Sequence, residues 1–365
     1  MDVRRHITIA ALSGALVAPG AEAALLCQKP NGTLALRDAC KRRETPVAPA
    51  TLGFRDAFGD GSAGARFVGT DEVLGDPNLS FTDFAVAPGV TLTVPSGTVI
   101  RCTGSFTNDG TIVVEPAAAG GRRTVITGGV TTAGTEIPAH PGLAAAAAQA
   151  GDIGDPTIAL FGGAGAPGIG LVAARQLVQP ALVAGGGGGA SGLDLVDGVT
   201  DDRGSDGGGA FFVYAAGSLV NRGAIVADGA GDAGGGGAGG LVVLASRTRI
   251  EQAAGALLRA AGGVGEGGDS NEAPSGGGGG GIAHLLAPAI DDAGAIDVSG
   301  GPAGALSQFA VSAVQRAGGG GGGAFGGAGG RGGSLGSGVP PAVTGAEPGA
   351  AGVVLRTLAD PASLL

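Results

Sequence analysis

Residues 81–114, FTDFAVAPGVTLTVPSGTVIRCTGSFTNDGTIVV, decide the fold. Short runs rich in Val and Thr alternate apolar with polar residues, and Pro-Gly, Ser-Gly and Asp-Gly break them every ~8–10 residues. β-Branched residues at this density, with turns this frequent, exclude a continuous helix and predict strand, turn, strand at regular spacing.

The phrase then returns. Residues 105–113 (SFTNDGTIV) align with residues 218–226 (SLVNRGAIV), and looser copies follow at 250–259 (IEQAAGALLR) and 290–299 (IDDAGAIDVS). A self-similar unit at this spacing marks a repeat architecture, because one unit of short strands cannot bury its own apolar face and must stack on its copies. Like residues then fall above like. Ile112 and Ile225 are expected in apolar ladders, and Asn108, Gly110, Asn221, Gly223, Gly255 and Gly294 at the turns, where short amides and glycine suit the backbone. The expected fold is all-β, a right-handed parallel β-helix (β-solenoid) with glycine-rich loops; a β-sandwich is the alternative.

Glycine tracts at 185–189, 234–237, 276–281 and 318–323 accompany the repeats at unequal distances, which reads as loops of variable length leaving a constant frame. Such tracts are either mobile linkers or extended strands packed so closely that only a chain without side chains fits. Their recurrence in step with the strands favours order.

Composition agrees with a thin core of small aliphatics. Gly 80 and Pro 20 make up over a quarter of the 365 residues, yet Val, Ile, Leu and Phe make up about 24 %, above the ~20 % that marks disordered chains, and only 14 % of residues are charged. No Trp and one Tyr leave few sugar-stacking platforms. Three His and three Cys nearly exclude zinc-finger, haem and iron–sulfur chemistry by ligand supply.

Residues 1–23 read as a signal peptide: Arg4 and Arg5, an apolar run over 7–17, and Ala21-Glu22-Ala23 as the cleavage site. Export to the extracellular space or outer cell surface follows. Net charge stays at −10 without them, which disfavours nucleic acid and anionic membrane as partners. No later apolar run is long enough for a transmembrane segment. Cys27 and Cys40 bracket Pro30-Asn31-Gly32, a turn signal, so a hairpin closed by a disulfide is expected; Cys102 is left over, either as a small buried hydrophobe or for an intermolecular bond. Residues 24–43 form this module, 44–58 a linker, 59–134 the first solenoid coils, and 135–180 an irregular insertion or cap with a short helix over 143–150. Glycine-rich repeats fill 181–358 and a tail 359–365. Residues 24–80 and the strand at 352–358 are expected to cap the open ends.

Chemical motifs are few. Lys29 and Lys41 are the only lysines, so a P-loop is absent, and the dinucleotide-like spacing in 163–170 is a chance hit among 80 glycines. His140 and His284 stand isolated. Asp194, Asp197, Asp201, Asp202 and Asp206 cluster on a glycine-flanked loop whose oxygens could hold calcium, though their order fits no EF-hand; a solvated acidic turn is the plainer reading. No catalytic residue and no other cofactor is expected.

Residues 59–115, from GDGSAGA through GTVI and GTIVV, with the G-G-G-G tracts ahead of each strand, resemble the glycine-rich, β-helical surface and tail-fibre-like proteins exported by bacteria or carried by their phages. The Cys-x12-Cys segment resembles the Cys-bracketed modules at the start of many exported bacterial repeat proteins. High Ala, Gly and Arg with little Lys suits a GC-rich bacterial genome. The resemblance implies a structural or adhesive cell-surface protein without catalytic activity, whose partners are a cell-surface glycan, a matrix component or its own copies. The competing expectation is a polysaccharide-acting β-helix enzyme, a lyase or hydrolase, drawing on Asp201, Asp202, Arg203, Asp291 and Asp292.

Overall fold

A computed structural model describes residues 25–29, 34–37, 40–46, 57–76, 78–124, 136–154, 158–168, 185–191, 201–231, 233–268, 272–306, 315–324, 326–338 and 342–363. The chain divides into two compact units, 1–56 and 57–365. Residues 1–23, expected to be a signal peptide, and the expected Pro30-Asn31-Gly32 turn lie outside the described residues.

In the first unit, strand Leu25–Gln28 pairs antiparallel with Leu34–Arg37, and a disulfide joins Cys27 to Cys40 with Cα atoms 5.5 Å apart. Thr45–Pro46 adds a third strand against Cys27 and Gln28. The expected linker therefore does not begin at 44; its first residues extend the hairpin's sheet.

The second unit carries three six-stranded sheets in which every pairing is parallel. Face one stacks Ser80–Phe81, Thr98–Cys102, Ala210–Ala215, Leu241–Ser246, Ile282–Leu286 and Val353–Thr357. Face two stacks Arg66–Val68, Phe84–Val86, Phe106–Asn108, Leu219–Asn221, Arg249–Gln252 and Ala289–Asp292. Face three stacks Glu72–Val73, Thr91–Val94, Thr111–Val114, Ala224–Val226, Leu257–Arg259 and Ala295–Asp297. Each coil runs from face one to two to three, as a parallel β-helix does. The repeats expected from sequence lie directly on one another, with Phe106 on Leu219, Asn108 on Asn221 and Ile112 on Ile225.

The alternation visible in the sequence sorts side chains between interior and solvent. On faces two and three the inward row is buried and the outward row partly exposed. Face one reads as unbroken apolar runs, AFFVYA and LVVLAS, because both of its sides are covered. Phe211, Val213, Val242 and Leu244 enter the helical core, whereas Phe212, Tyr214, Val243 and Leu286 join a second cluster with Phe58 and Leu143. Within the core Phe84 and Phe106 stack one rung apart, ring centroids 5.6 Å. Asn108 Nδ2 donates to Asn221 Oδ1 at 2.8 Å, and the Gly110 N–H to Asn108 Oδ1 at 3.2 Å, so the paired amides satisfy one another at the bend.

Both ends of the apolar column close on charge. On the first coil inward Arg66, stacked over Phe84, meets inward Glu72, stacked over Leu92, at 2.6 Å. On the last coil Arg356, stacked on Leu285, donates through Nε to Asp292 Oδ2 at 2.8 Å. Inward charge on the terminal rungs discourages the exposed strand edges from accepting another copy.

Every long excursion leaves face three and returns to face one: 115–209, 227–240, 260–281 and 298–352. All the glycine tracts are therefore thrown out beside one corner of the β-helix.

Candidate functional site: the glycine lattice

The tracts are ordered, and they form neither helix nor sheet. Along 276–281 successive amides point three ways. Gly276 and Gly279 donate to the carbonyls of Gly319 and Gly322 (2.9 and 2.8 Å), Gly277 and Gly280 to Glu347 and Ala350 (3.1 and 2.8 Å), and Gly278 and Gly281 to Gly263 and Ala260 (2.9 and 2.8 Å). The same cycle runs through 235–240. Gly235 and Ala238 donate to Gly189 and Gly186, Gly236 and Gly239 to Gly276 and Gly279, Gly237 and Gly240 to Ala230 and Ala227. A repeat of three with no bond inside the tract is the signature of the polyproline II helix, which has three residues per turn and leaves every amide to a neighbour. Here the neighbours are other tracts, running in both directions.

Glycine is needed for space rather than for a left-handed backbone. Among the described residues, none in 235–240, 276–281 or 318–323 has positive φ. A Cβ on Gly321 would instead come within 2.5 Å of the Gly277 carbonyl carbon and nearer still to its oxygen. The tracts at the rim of the lattice follow a looser rule that sequence reading missed. In 298–305 residues 298, 301 and 304 are covered while Ser299, Pro302 and Ala305 are exposed; in 342–352 Val343, Ala346, Gly349 and Gly352 turn inward. A rim tract needs a small residue only where its single inward edge meets the bundle, as in collagen, whereas a central tract is enclosed on all sides.

This packing corrects one expectation. Residues 143–150 form no helix: alanine propensity cannot nucleate so short a segment, and the lattice supplies its backbone with partners, Gln149 N–H donating to Ala164 at 3.0 Å. Residues 163–168 form a lattice tract, with Gly163 and Ala166 bonded to Gly318 and Gly321.

At the end remote from the β-helix the lattice is tied by polar groups and a small apolar plug. Ser191 Oγ lies 2.8 Å from Glu266 Oε2 and 3.3 Å from Glu272 Oε2, and Glu266 also accepts the Gly234 N–H. Glu272 pairs through its backbone with the fully buried Arg316 in an isolated parallel bridge, the Ala273 N–H donating to the Arg316 carbonyl at 2.8 Å. Arg123 donates to the Gly151 carbonyl at 2.8 Å and to Glu136 at 3.1 Å. Leu160, Ala273, Ala317 and Leu335 pack together. The same end exposes Ile137, Ile158, Phe161 and Leu306, each more than half accessible.

The acidic cluster is only partly described. Asp194 and Asp197 lie outside the described residues. Asp201 and Asp202 belong to a strand, Asp201–Arg203, paired antiparallel with Arg122–Thr124, where a loop is expected from sequence; the paired ladder overrides the local turn signals. Asp206 accepts the Gly120 N–H at 2.9 Å and lies 3.7 Å from Arg203. Among the described residues no group of three or more His, Cys, Asp or Glu has metal-binding geometry. Asp292 pairs with Arg356, and Asp291 faces outward. His140 Nδ1 accepts the Gly142 N–H, and buried His284 meets Thr357 Oγ1 at 2.9 Å. Cys102 is fully buried in the core, with its thiol pushed up to about 12 by desolvation and by the Asp83 charge. It is therefore a core side chain, and the intermolecular alternative has no access. Gly255 takes the positive φ its turn requires, and Gly223 and Gly294 pack against backbone of the preceding coil.

No family model, no curated protein and no solved structure matches this chain.

Proposed function

We propose that the protein is an exported cell-surface protein with a structural or adhesive role and no catalysis of its own, in the manner of glycine-rich β-helical surface and tail-fibre-like proteins. The observation that carries this reading is the three-way hydrogen bonding of the glycine tracts. Ordering glycine costs more backbone entropy than ordering any other residue, and the tracts offer no side chains for chemistry in return. What the lattice supplies is rigidity: each amide is held from a different direction, and the remote end is fixed relative to the β-helix. The exposed Ile137, Ile158, Phe161 and Leu306 at that end form the contact face. The Cys27–Cys40 disulfide fits an oxidising compartment, and no helix among the described residues is long and apolar enough to cross a membrane.

The test is adhesion of protein-coated beads to bacterial cells and to an array of neutral and anionic glycans, beside assays for reducing ends and unsaturated products. Adhesion without turnover is expected, and it should fall when Phe161 and Leu306 are changed to Ser. Glycan turnover that Asp202→Ala abolishes would replace this reading with the enzymatic one.

A further inference from the structure

Whole-chain charge conceals a segregation. Residues 24–56 hold Lys29, Arg37, Lys41, Arg42, Arg43 and Arg55 against Asp38, Glu44 and Asp56, a net charge of +3; with residues 1–23 neutral, the chain's −10 leaves −13 on residues 57–365. Both lysines of the chain lie in the first unit.

The cations are also used differently in the two units. In the second, most of the described arginines pair with carboxylates, among them Arg66 with Glu72, Arg222 with Asp109, Arg249 with Glu251, Arg259 with Asp228 and Arg356 with Asp292. In the first, Lys41, Arg42 and Arg43 are consecutive, exposed, and without an ion-pair partner among the described residues. They sit on a closed turn. The Glu44 N–H donates to the Lys41 carbonyl at 2.8 Å, and the Lys41 N–H to Glu44 Oε2 at 3.0 Å, so the one carboxylate among the described residues 40–46 is engaged with the turn's own backbone. The Cys27–Cys40 bridge and the Thr45–Pro46 strand fix the turn on both sides.

We infer that this turn is a docking point for a linear anionic polysaccharide, one bearing carboxylate groups along its length. Guanidinium forks match carboxylates bidentately, and three cations on a rigid turn meet successive groups of a polymer with little ordering cost. A polymer is favoured over an anionic bilayer by the charge of the rest of the chain. An extended negative surface presents many charges at once to a chain whose net charge is −10, whereas a single strand presents them a few at a time. The inference goes beyond the lattice reading and stands on a different unit.

The experiment uses the full mature chain on immobilised alginate, a polyuronate, with salt elution. Wild type should be retained at 50 mM salt and released as salt rises, while the Lys41→Ser/Arg42→Ser/Arg43→Ser variant should lose roughly a hundred-fold in affinity, as about a kilocalorie per cation implies. Intact mass confirming the disulfide and an unchanged thermal midpoint of the second unit separate lost binding from lost folding, and Arg42→Lys/Arg43→Lys, which keeps the charge but loses the forks, should bind with an affinity between those of wild type and the triple variant. Passage of wild type through the column, or equal retention of the variant, overturns the inference. So does tighter binding to phosphatidylglycerol vesicles than to alginate, or salt-sensitive self-association abolished by the same variant, which would make the acidic unit of a second copy the partner. Retention with no cell adhesion by the remote face would remove the adhesive role from the proposed function while leaving this inference intact.

Discussion

Replacing one central glycine by alanine separates a packed lattice from a set of linkers. Gly321 lies in the middle of the bundle, where an added Cβ would press on the Gly277 carbonyl. Carbon atoms pack at about 3.5–4.0 Å, so the tract 276–281 would have to retreat by about 1 Å. That movement stretches the bonds Gly276 to Gly319, Gly279 to Gly322 and Gly330 to Gly277, now 2.8–2.9 Å. Two or three buried amides left poorly satisfied, at about 1–3 kcal/mol each, outweigh the ~0.4–1 kcal/mol that alanine returns by stiffening the unfolded chain. The expected net loss is ~2–4 kcal/mol, a fall in Tm of roughly 5–10 °C. Gly345 is the control: nothing lies within 4 Å of its added Cβ, and its φ is not in the left-handed region. Gly345→Ala should leave the protein unchanged or stabilise it by ~0.4–1 kcal/mol. Calorimetric melting of both variants provides the assay. Equal midpoints for Gly321→Ala and Gly345→Ala, or a rise in the first, would refute the packing argument.

Arg66→Leu/Glu72→Leu should turn the first rung apolar and drive end-on association, read as a concentration-dependent rise in mass by light scattering; a monomer at all concentrations would deny the ion pair its capping role. Without reductant, denatured protein should expose one alkylatable thiol, Cys102, and native protein none; labelling of the native state would contradict its burial. Because the folded Cys102 thiol is raised to about 12 from 9.0, the unfolded state ionises first, so this residue's contribution to stability should fade as pH rises from about 9, and Cys102→Ala should flatten that limb of the pH–stability curve. Asp60 shifts the other way: Ser62 and then Ser80 hold its carboxylate well below the usual range. Its contribution is complete above the unfolded value of 3.8 and is lost as pH falls toward its folded value, so Asp60→Asn should reduce acid sensitivity; an unchanged acid limb would rule the contact out.

How far the sequence could be read depended on whether side chains carried the information. The β-helix was legible because its strands alternate visibly and because Asn108 and Asn221, Ile112 and Ile225 recur within one phrase whose copies stack in register. The disulfide was legible from the turn between its cysteines. The lattice was not, because a glycine tract has no pattern of its own: what makes 276–281 ordered is the position of three other tracts, distant in sequence. Its one local signal is faint, the every-third-residue smallness of rim segments such as 298–305, and in 143–150 alanine hides that signal behind helix propensity. The caps are expected within 24–80 and 352–358, but their charge pairs are not visible there, because Arg66 and Glu72 look like surface residues until the stacking of Phe84 and Leu92 beneath them fixes the direction in which they point. For the proposed contact face, Phe161 and Leu306 stand out only once the fold shows them exposed.

Hydrogen exchange resolved at single amides tests the central claim most directly. Gly236, Gly239, Gly278, Gly279 and Gly322 should exchange as slowly as amides of the core strand Leu241–Ser246, since each is buried and bonded across the lattice. Exchange of these glycines at unstructured-chain rates, while that strand stays protected, would contradict the account.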